Sequence, residues 1–287
     1  MEGKVTKGIG GFYYVADGDS IIECRARKKV KSEQGRILTG DNIEFSIEKH
    51  GCVIEKILPR KNKLNRPPVS NVDQAMIVFS VDLPKPNFLF LDKLILNCEM
   101  EHLDIFLCCN KVDLDSNAVI AIRKHFLNTG YEIIFSSTKT DIDMAKIQNK
   151  LENKTTVLAG PSGVGKSSII NKIEPQMNLL TGNISSKLKR GKHTTRHTEL
   201  LKTGKNGFVL DTPGFTSLEI EKLDYDEVKE YYSDFLNFST LCKFKNCNHL
   251  NEPGCQIKNQ VSVGGISPTR YENYKSIINE LKNTGRY

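Results

Sequence analysis

Short apolar stretches alternate with turn residues at the start of the chain. Strand-like runs occupy residues 11–16, 21–24, 42–47 and 52–58, and turns that contain glycine separate them. Strands this short and this closely spaced predict a small antiparallel β-barrel. The segment 25–36 between two of them is rich in Lys and Arg, which is typical either of a solvated loop or of a nucleic-acid-binding loop.

The hydrophobic pattern changes after a polar, proline-ended linker at residues 61–68. Continuous apolar strands now alternate with helical periodicity, which predicts a parallel α/β sheet. The strands are predicted at 74–81, 104–109, 131–135, 155–159 and 207–210, and the helices at 88–100 and 118–129. Further helices are expected at 224–238 and from Ser267 to Leu281. We therefore predict three domains, which cover residues 1–66, 67–220 and 221–287.

Composition places the chain among folded globular proteins. Of its 287 residues, 38% are hydrophobic and 26% are charged, with a net charge of +7. No apolar run is long enough for a transmembrane helix, and the first residues lack the apolar core of a secretory signal. We expect a cytoplasmic protein with no membrane partner. Nothing in the sequence indicates an obligate dimer, so we expect a monomer.

A phosphate-binding motif lies in the central region. Residues 160–168 read Gly-Pro-Ser-Gly-Val-Gly-Lys-Ser-Ser, between an apolar strand and an apolar helix. Glycines let backbone N–H groups face one anion, and the helix N-terminus adds partial positive charge. We expect Lys166 to reach the β and γ phosphates and Ser167 to bind Mg²⁺. The predicted nucleotide contacts are Gly160, Ser162, Gly163, Val164, Gly165, Lys166, Ser167 and Ser168.

Asp211-Thr212-Pro213-Gly214 follows the last predicted strand of the sheet. A carboxylate at a strand end can hold the Mg²⁺ shell through water, and Gly214 can offer its N–H to a γ-phosphate. An ordinary turn is the alternative. The position downstream of a phosphate loop favours a Walker B element.

A base-reading motif precedes the phosphate loop. Asn110-Lys111-Val112-Asp113 follows a buried strand, and Ser136 and Ser137 follow the next strand. A carboxylate at Asp113 can accept hydrogen bonds from guanine N1–H and the 2-amino group, which adenine does not offer as a pair. Asn110 can bridge base and loop, and the Lys111 stem can lie against the ring. A helix cap at Asp113 is the alternative interpretation of that residue.

These are the motifs of a Ras-like GTPase in permuted order, since the base-reading segments precede the phosphate loop. The layout resembles the ribosome small subunit-dependent GTPase A family, also called RsgA or YjeQ. The resemblance covers nearly the whole chain. It implies an N-terminal OB-fold that binds RNA, a central circularly permuted GTPase and a mainly helical C-terminal zinc-binding domain. It also implies that the protein is a GTPase that acts in late maturation of the small ribosomal subunit, and that the subunit stimulates GTP hydrolysis.

The segment 181–206 is basic and lacks apolar periodicity, so we interpret it as a mobile switch I loop. We favour Thr195 over Thr194 as its Mg²⁺ ligand. Phe215 follows Gly214, where many Ras-like proteins place a water-orienting glutamine, so slow intrinsic hydrolysis is expected. His193 is a candidate for orienting water, and the family resemblance also points to it. A solvent-exposed histidine and a partner-supplied group are the alternatives.

A metal-binding pattern lies near the C-terminus. Each of its four positions is a cysteine or a histidine, and both are common Zn²⁺ ligands. Cys242, Cys247, His249 and Cys255 fall within fourteen residues. Three thiolates and one imidazole are the donors of a closed, structural Zn²⁺ site. Chance clustering of buried cysteines is the alternative, and the other five cysteines are expected to be small buried hydrophobes. The nearby Lys243, Lys245, Lys258 and Arg270 can contact RNA or face solvent.

Together these patterns predict a Mg²⁺-dependent protein that binds GTP and GDP, carries one Zn²⁺ and contacts the small ribosomal subunit and its rRNA. Two rival functions remain. One is a non-hydrolysing guanine-nucleotide switch that binds RNA, which Phe215 permits. The other is a small-molecule kinase, although a guanine-specific site is unnecessary for that chemistry.

Overall fold

A computed structural model of the chain describes residues 1–49, 51–177, 179, 198–211, 220 and 223–284. The chain divides into two compact units. The first contains Met1–Met76, Met144–Ala159 and Ser167–Ser217, and the second contains Ile77–Asp143, Gly160–Lys166 and Leu218–Tyr287. The domain boundaries expected at residues 66 and 220 stay predictions.

The N-terminal strands close into a five-stranded barrel with the order β1-β2-β3-β5-β4. The strands are β1 (Glu2–Ile9), β2 (Phe12–Asp17), β3 (Ser20–Ala26), β4 (Asn42–Glu48) and β5 (Gly51–Ile57). Val5, Val15 and Phe45 are among the residues that fill the barrel interior. The expected barrel is confirmed, but β3 pairs with β5 in parallel, so an entirely antiparallel barrel was wrong.

Three polar segments are more ordered than their composition predicted, and one of them is the expected loop 181–206, whose residues Leu200–Thr203 form a strand. The basic segment between β3 and β4 contains helix α1 (Lys28–Glu33) rather than only a loop. The linker region forms strands β6 (Lys63–Asn65) and β7 (Pro68–Ser70), which pair with each other. Leu64 and Val69 are buried there, and this apolar pair explains why the segment folds.

The central sheet has six strands in the order β10-β9-β8-β11-β13-β12. They are β8 (Gln74–Ser80), β9 (Asp104–Asn110), β10 (Glu132–Phe135), β11 (Thr155–Ala159), β12 (Leu200–Thr203) and β13 (Gly207–Asp211). All seven residues of β8 are buried, which accounts for its continuous apolar pattern. The pairs β9–β10 and β11–β13 are parallel, as expected, whereas β12 runs antiparallel to β13.

In the described ranges, these strands are accompanied by the helices α2 (Phe88–Met100), α3 (Ala118–His125), α4 (Met144–Leu151) and α5 (Lys166–Ile173). Helix α2 has the predicted bounds. Helix α3 ends earlier than predicted, and the left-handed backbone of Asn128 and Gly130 explains why a helix does not continue to residue 129. A short 3₁₀-helix, Pro175–Met177, follows α5.

The barrel contacts strand β12 within the first unit. Lys7 of β1 forms a β-bridge with Glu199, and their side chains form an ion pair with Nζ and Oε2 2.7 Å apart. Lys202 Nζ donates to the carbonyl of Gly18 and to Asp19 Oδ1. The chain that enters β12 is therefore bonded to the barrel by both backbone and side-chain groups.

The C-terminal region is helical and packs on an aromatic core. Its helices are α6 (Ser233–Ser239), α7 (Gln256–Val263) and α8 (Pro268–Thr284), after a 3₁₀-helix at Val228–Tyr231. The single helix expected at 224–238 is therefore wrong, because the extended backbone of Tyr232 separates the 3₁₀-helix from α6. Tyr232, Phe235 and Tyr274 pack together with Leu96 of α2. Among the described residues, no helix combines the length and apolar character needed to cross a bilayer.

Candidate nucleotide site and metal cluster

The two predicted base-reading segments meet at one edge of the sheet. Asn110 ends β9 and Ser136 follows β10, and these parallel strands are in register at Cys109 and Phe135. The Ser136 N–H donates to the Cys109 carbonyl, and the Val112 N–H donates to the Ser136 carbonyl. Parallel pairing therefore brings together residues that are more than twenty positions apart in sequence.

Asp113 is positioned by a buried serine. Ser137 Oγ donates to Asp113 Oδ1 at 2.6 Å, and the same hydroxyl accepts from the Thr140 N–H at 3.2 Å. Ser137 is buried, whereas Asp113 is exposed. The carboxylate is therefore held at the loop surface, where a base that offers two N–H donors can reach it.

Asn110 links the base-reading loop to the phosphate loop. Its side chain is 1% exposed, and Nδ2 donates to the Val164 carbonyl at 2.9 Å. Its Oδ1 is buried and has no hydrogen-bond partner among the described residues. An unpaired buried acceptor costs free energy, so a donor from a bound ligand would stabilise it.

The glycine at position 165 permits this link. A Cβ atom there would lie 2.3 Å from Asn110 Nδ2, and its φ of +98° is in the left-handed region. Any other residue at position 165 would displace Asn110 from the phosphate loop.

Lys111 also joins the two loops. Its Nζ donates to the Gly163 carbonyl at 2.8 Å and to the Leu83 carbonyl. These bonds fix the aliphatic stem beside the base-reading loop, where it can cover one face of a bound base. The Leu83 carbonyl was not predicted, because a backbone acceptor in an ordinary loop carries no sequence signal.

The phosphate loop curls around its own lysine. Lys166 begins α5, and its Nζ donates to the carbonyls of Gly160 and Pro161 at 2.8 Å each. The ammonium therefore lies inside the curve of the loop, where phosphate oxygens are expected to bind. Ser167 and Ser168 follow in the first turn of α5, and Ser162, Gly163 and Val164 complete the loop.

The predicted γ-phosphate side of the site is described only in part. Asp211 is the last residue of β13, and its backbone pairs with Leu158 of β11, just before the phosphate loop begins. His193, Thr194, Thr195 and Gly214 lie outside the described residues. Their predicted roles stay predictions.

The four predicted metal ligands converge. The donor atoms of Cys242, Cys247, His249 and Cys255 all lie within 4.8 Å of one another, and three of the four residues are buried. His249 Nδ1 is 3.4 Å from Cys255 Sγ and 3.7 Å from Cys242 Sγ. Three cysteine sulfurs and one imidazole nitrogen at these separations fit the tetrahedral arrangement that Zn²⁺ adopts in structural sites. A full set of four protein ligands leaves no open position for catalysis.

The electrostatics of the cluster also fit a cation. Burial lowers the pKa of the His249 imidazole to about 4, and the Lys229 ammonium acts in the same direction. The imidazole is therefore neutral at pH 7, which is the form that binds a metal. Burial raises the pKa of the Cys247 thiol to about 12, so ionising it requires a compensating positive charge, which a bound metal supplies.

Groups outside the ligand set hold the ligand loop. The hydroxyls of Tyr271 and Tyr274 donate to the carbonyls of His249 and Asn248. The Gln256 N–H at the start of α7 donates to Cys242 Sγ at 3.3 Å. The tyrosines were predicted only as apolar positions of the last helix, and their hydroxyl contacts were not.

Arg270 is not an RNA contact, which corrects one of the alternatives for the basic residues near the cluster. It is 1% exposed, and its Nε donates to both oxygens of Asp234 at 3.0 Å. Its Nη1 donates to Asp92 of α2, which also accepts from Asn273 Nδ2 at 2.7 Å. Lys243 and Lys245 are exposed, so the basic surface of this region lies on the ligand loop itself.

Family models match most of the chain. The RsgA GTPase model covers residues 57–221, and the RsgA N-terminal domain model covers residues 2–53. The chain belongs to the RsgA GTPase family. Membership implies guanine nucleotide and Mg²⁺ as ligands, in agreement with the base-reading and phosphate loops.

Relatives and solved structures align over nearly the whole chain. The chain is 40% identical to the small ribosomal subunit biogenesis GTPase RsgA of Agathobacter rectalis, over 100% of both chains. It is 43% identical to the protein of that name from Clostridium acetobutylicum, over 98% of both. The structure of YjeQ from Thermotoga maritima matches with a TM-score of 0.84 and 33% identity, over 100% of this chain and 99% of that one. YloQ, described as a circularly permuted GTPase, matches with a TM-score of 0.80 and 34% identity, over 98% and 95%.

Proposed function

We propose that this protein hydrolyses GTP to GDP and phosphate during late maturation of the small ribosomal subunit, and that the subunit stimulates the reaction. The observation that carries the proposal is the bonding of a guanine-reading loop to a phosphate loop. Asn110 bonds to Val164, Lys111 bonds to Gly163, and Asp113 is set by Ser137. The relatives named for small-subunit biogenesis support the choice of partner.

Each part of the site has a distinct chemical task. Asp113 accepts from the two N–H donors on the guanine edge, and adenine would leave the carboxylate unmatched. Backbone N–H groups of the phosphate loop and Lys166 neutralise the phosphates, whose charge grows in the transition state. Ser167, Asp211 and Thr195 are the residues that would hold Mg²⁺, which supplies further positive charge at the β and γ oxygens when bound.

Exposed basic residues support rRNA as the part of the subunit that is contacted. Lys28, Lys29 and Arg36 are exposed on the barrel, and Lys243 and Lys245 are exposed on the metal-ligand loop. Arg27 contributes less to the positive electrostatic potential of the barrel surface, because it pairs with Glu48 and Glu55. A cytoplasmic monomer, with one structural Zn²⁺ at the cysteine–histidine cluster, completes the proposal.

The deciding experiment is GTP turnover with and without purified small ribosomal subunits. We expect slow turnover alone and an increase of about 10³-fold with small subunits, in the range that partner-supplied groups add to slow GTPases. Large subunits and free rRNA serve as particle controls. Lys166→Ala should abolish the stimulated rate, whereas Lys172→Ala, at the other end of α5, should retain it. Turnover that no ribosomal particle changes would overturn the proposed partner.

The same assay addresses the residue that orients water. We propose that His193 orients the attacking water. Phe215 stands where many Ras-like proteins have a water-orienting glutamine, and its side chain cannot perform that task. His193→Ala should then lower stimulated turnover while GTP affinity stays unchanged. An unchanged stimulated rate would assign water positioning to a group on the subunit.

A non-hydrolysing guanine-nucleotide switch is the alternative function, and Phe215 is the observation that favours it. It predicts nucleotide-dependent subunit binding with no phosphate release. Binding of ATP with the affinity of GTP would instead favour the kinase alternative.

A further inference from the structure

The metal-ligand loop presents an aromatic ring to solvent. Between Cys242 and Cys247 the chain reads Lys243-Phe244-Lys245-Asn246, and all four residues are exposed. Phe244 is 44% exposed, and every other phenylalanine in the described ranges is buried or half-buried. The neighbouring aromatic residues Tyr232 and Phe235 are buried in the core below. A hydrophobic core is therefore present in this region, and the exposure of Phe244 needs another explanation.

The backbone on both sides of this ring is fixed. The Lys243 N–H donates to the Gly254 carbonyl at 3.2 Å, and a Cβ atom added at Gly254 would lie 3.1 Å from Lys243 Cβ. Cys242 accepts from the Gln256 N–H, and Cys247 is buried. A ring held on such a loop loses little conformational entropy when it binds a partner.

The charges around the ring favour a polyanion. Lys243 Nζ lies 5.7 Å from the centroid of Phe244, and Lys245 is exposed on the other side of it in sequence. The loop itself contains no acidic residue, and the nearby Glu252 is bonded to the backbone N–H groups of Asn248 and Leu250. Proteins commonly bind single-stranded nucleic acid through an aromatic ring flanked by cations. The ring stacks on the face of a base, and the cations pair with the neighbouring phosphates.

We propose that Phe244 stacks on an unpaired base of the small-subunit rRNA, while Lys243 and Lys245 contact the adjacent phosphates. This inference rests on the proposed function, because it names the chemistry by which the protein recognises its subunit. The ring selects single-stranded over double-stranded RNA, whose bases already stack on each other.

The absence of tryptophan from the chain gives a direct test. Phe244→Trp introduces the only indole, and its emission should fall when rRNA extracted from small subunits is added. A short RNA duplex should leave the emission unchanged. Tyr225→Trp is the matched control, because Tyr225 is an exposed aromatic residue at 38%, with Lys282 Nζ already 4.5 Å from its ring centroid. Equal quenching of both reporters, or of neither, would overturn the proposal.

Affinity measurements separate stacking from a general apolar contact. Phe244→Ala should bind small subunits about tenfold more weakly, as expected for the loss of one stacked base. Phe244→Tyr should restore binding, whereas Phe244→Leu should not, and Tyr225→Ala should bind like the unsubstituted protein. Metal content is measured for every variant, so that damage to the cysteine–histidine cluster is recognised.

The outcomes distinguish this inference from the function on which it rests. If the unsubstituted protein does not bind small subunits, the proposed function fails first. If it binds and Phe244→Ala binds equally well, only the stacking inference fails. If Phe244→Ala weakens subunit binding but extracted rRNA does not quench Phe244→Trp, the ring contacts a ribosomal protein and the RNA assignment is wrong.

Discussion

The candidate nucleotide site and the candidate metal cluster are assembled in opposite ways. The nucleotide site draws on three loops, at residues 110–113, 136–137 and 160–166, which the pairing of β9 and β10 and hydrogen bonds between loops bring together. The metal cluster takes all four donors from fourteen consecutive residues. The candidate nucleotide site therefore depends on the pairing of distant strands, whereas the candidate metal cluster depends on one short segment of the chain.

The two sites differ just as clearly in what holds their charged groups. In the nucleotide site, Lys111 and Lys166 donate to backbone carbonyls, so each can be replaced without leaving a buried charge. In the cluster, buried thiols have raised pKa values and need a cation. Damage to the first site should therefore reduce ligand binding, and damage to the second should reduce stability.

The largest expected effect is loss of the metal. Cys247→Ser should lose bound Zn²⁺ and lower the melting temperature by at least about 10 °C, because structural Zn²⁺ contributes many kcal/mol and each kcal/mol corresponds to about 2–4 °C in a chain of this size. Metal analysis and calorimetry measure the two quantities. Cys98→Ser is the control, since Cys98 is a buried cysteine outside the cluster. Equal effects of both substitutions would show that Cys247 acts only as a small core residue.

The next effect tests the buried charges beneath the cluster. Arg270→Met should destabilise the protein by about 3–5 kcal/mol, because it removes the buried guanidinium that balances the charges of Asp92 and Asp234. Urea unfolding measures the change. On the same helix, Lys275→Met removes an exposed pair with Glu272 and should cost about 1 kcal/mol or less. A similar small loss for both variants would mean that water reaches the Arg270 site.

Sequence reasoning succeeded where chemistry is local in the chain. The four residues whose spacing predicts a metal site do converge, and the predicted phosphate loop does lie between a strand and a helix, although their roles as ligands stay predictions. The expected α/β sheet and barrel are confirmed, since apolar period and length separate buried strands from surface strands.

Sequence reasoning failed where contacts join positions that are distant in the chain. Its position near the cluster makes Arg270 a possible RNA contact by sequence, because nothing in the sequence connects it to Asp92, 178 positions earlier. The parallel pairing of β3 with β5 was missed, because short apolar runs do not specify their neighbours. The composition of residues 61–68 predicts a polar linker, but Leu64 pairs with Val69 in a small sheet.

The smallest of these effects, and the most specific, concerns base choice. Asp113→Asn should weaken GTP binding by about 10- to 150-fold, since it removes charge-assisted hydrogen bonds worth about 1.5–3 kcal/mol. It should also improve binding of xanthosine triphosphate, whose C2 carbonyl can accept from the new amide. Competition with a fluorescent guanine nucleotide measures both affinities.

Asp115→Asn is the matched control, because Asp115 is exposed nearby and accepts from the backbone N–H groups of Asn117 and Ala118. The melting temperature of Asp113→Asn should stay within about 2 °C of the unsubstituted protein, since an exposed carboxylate contributes little to stability. Unchanged GTP affinity would remove Asp113 from the base site. A large fall in melting temperature would show that the nucleotide loops, like the metal cluster, hold the fold together, and the contrast between the two sites would not stand.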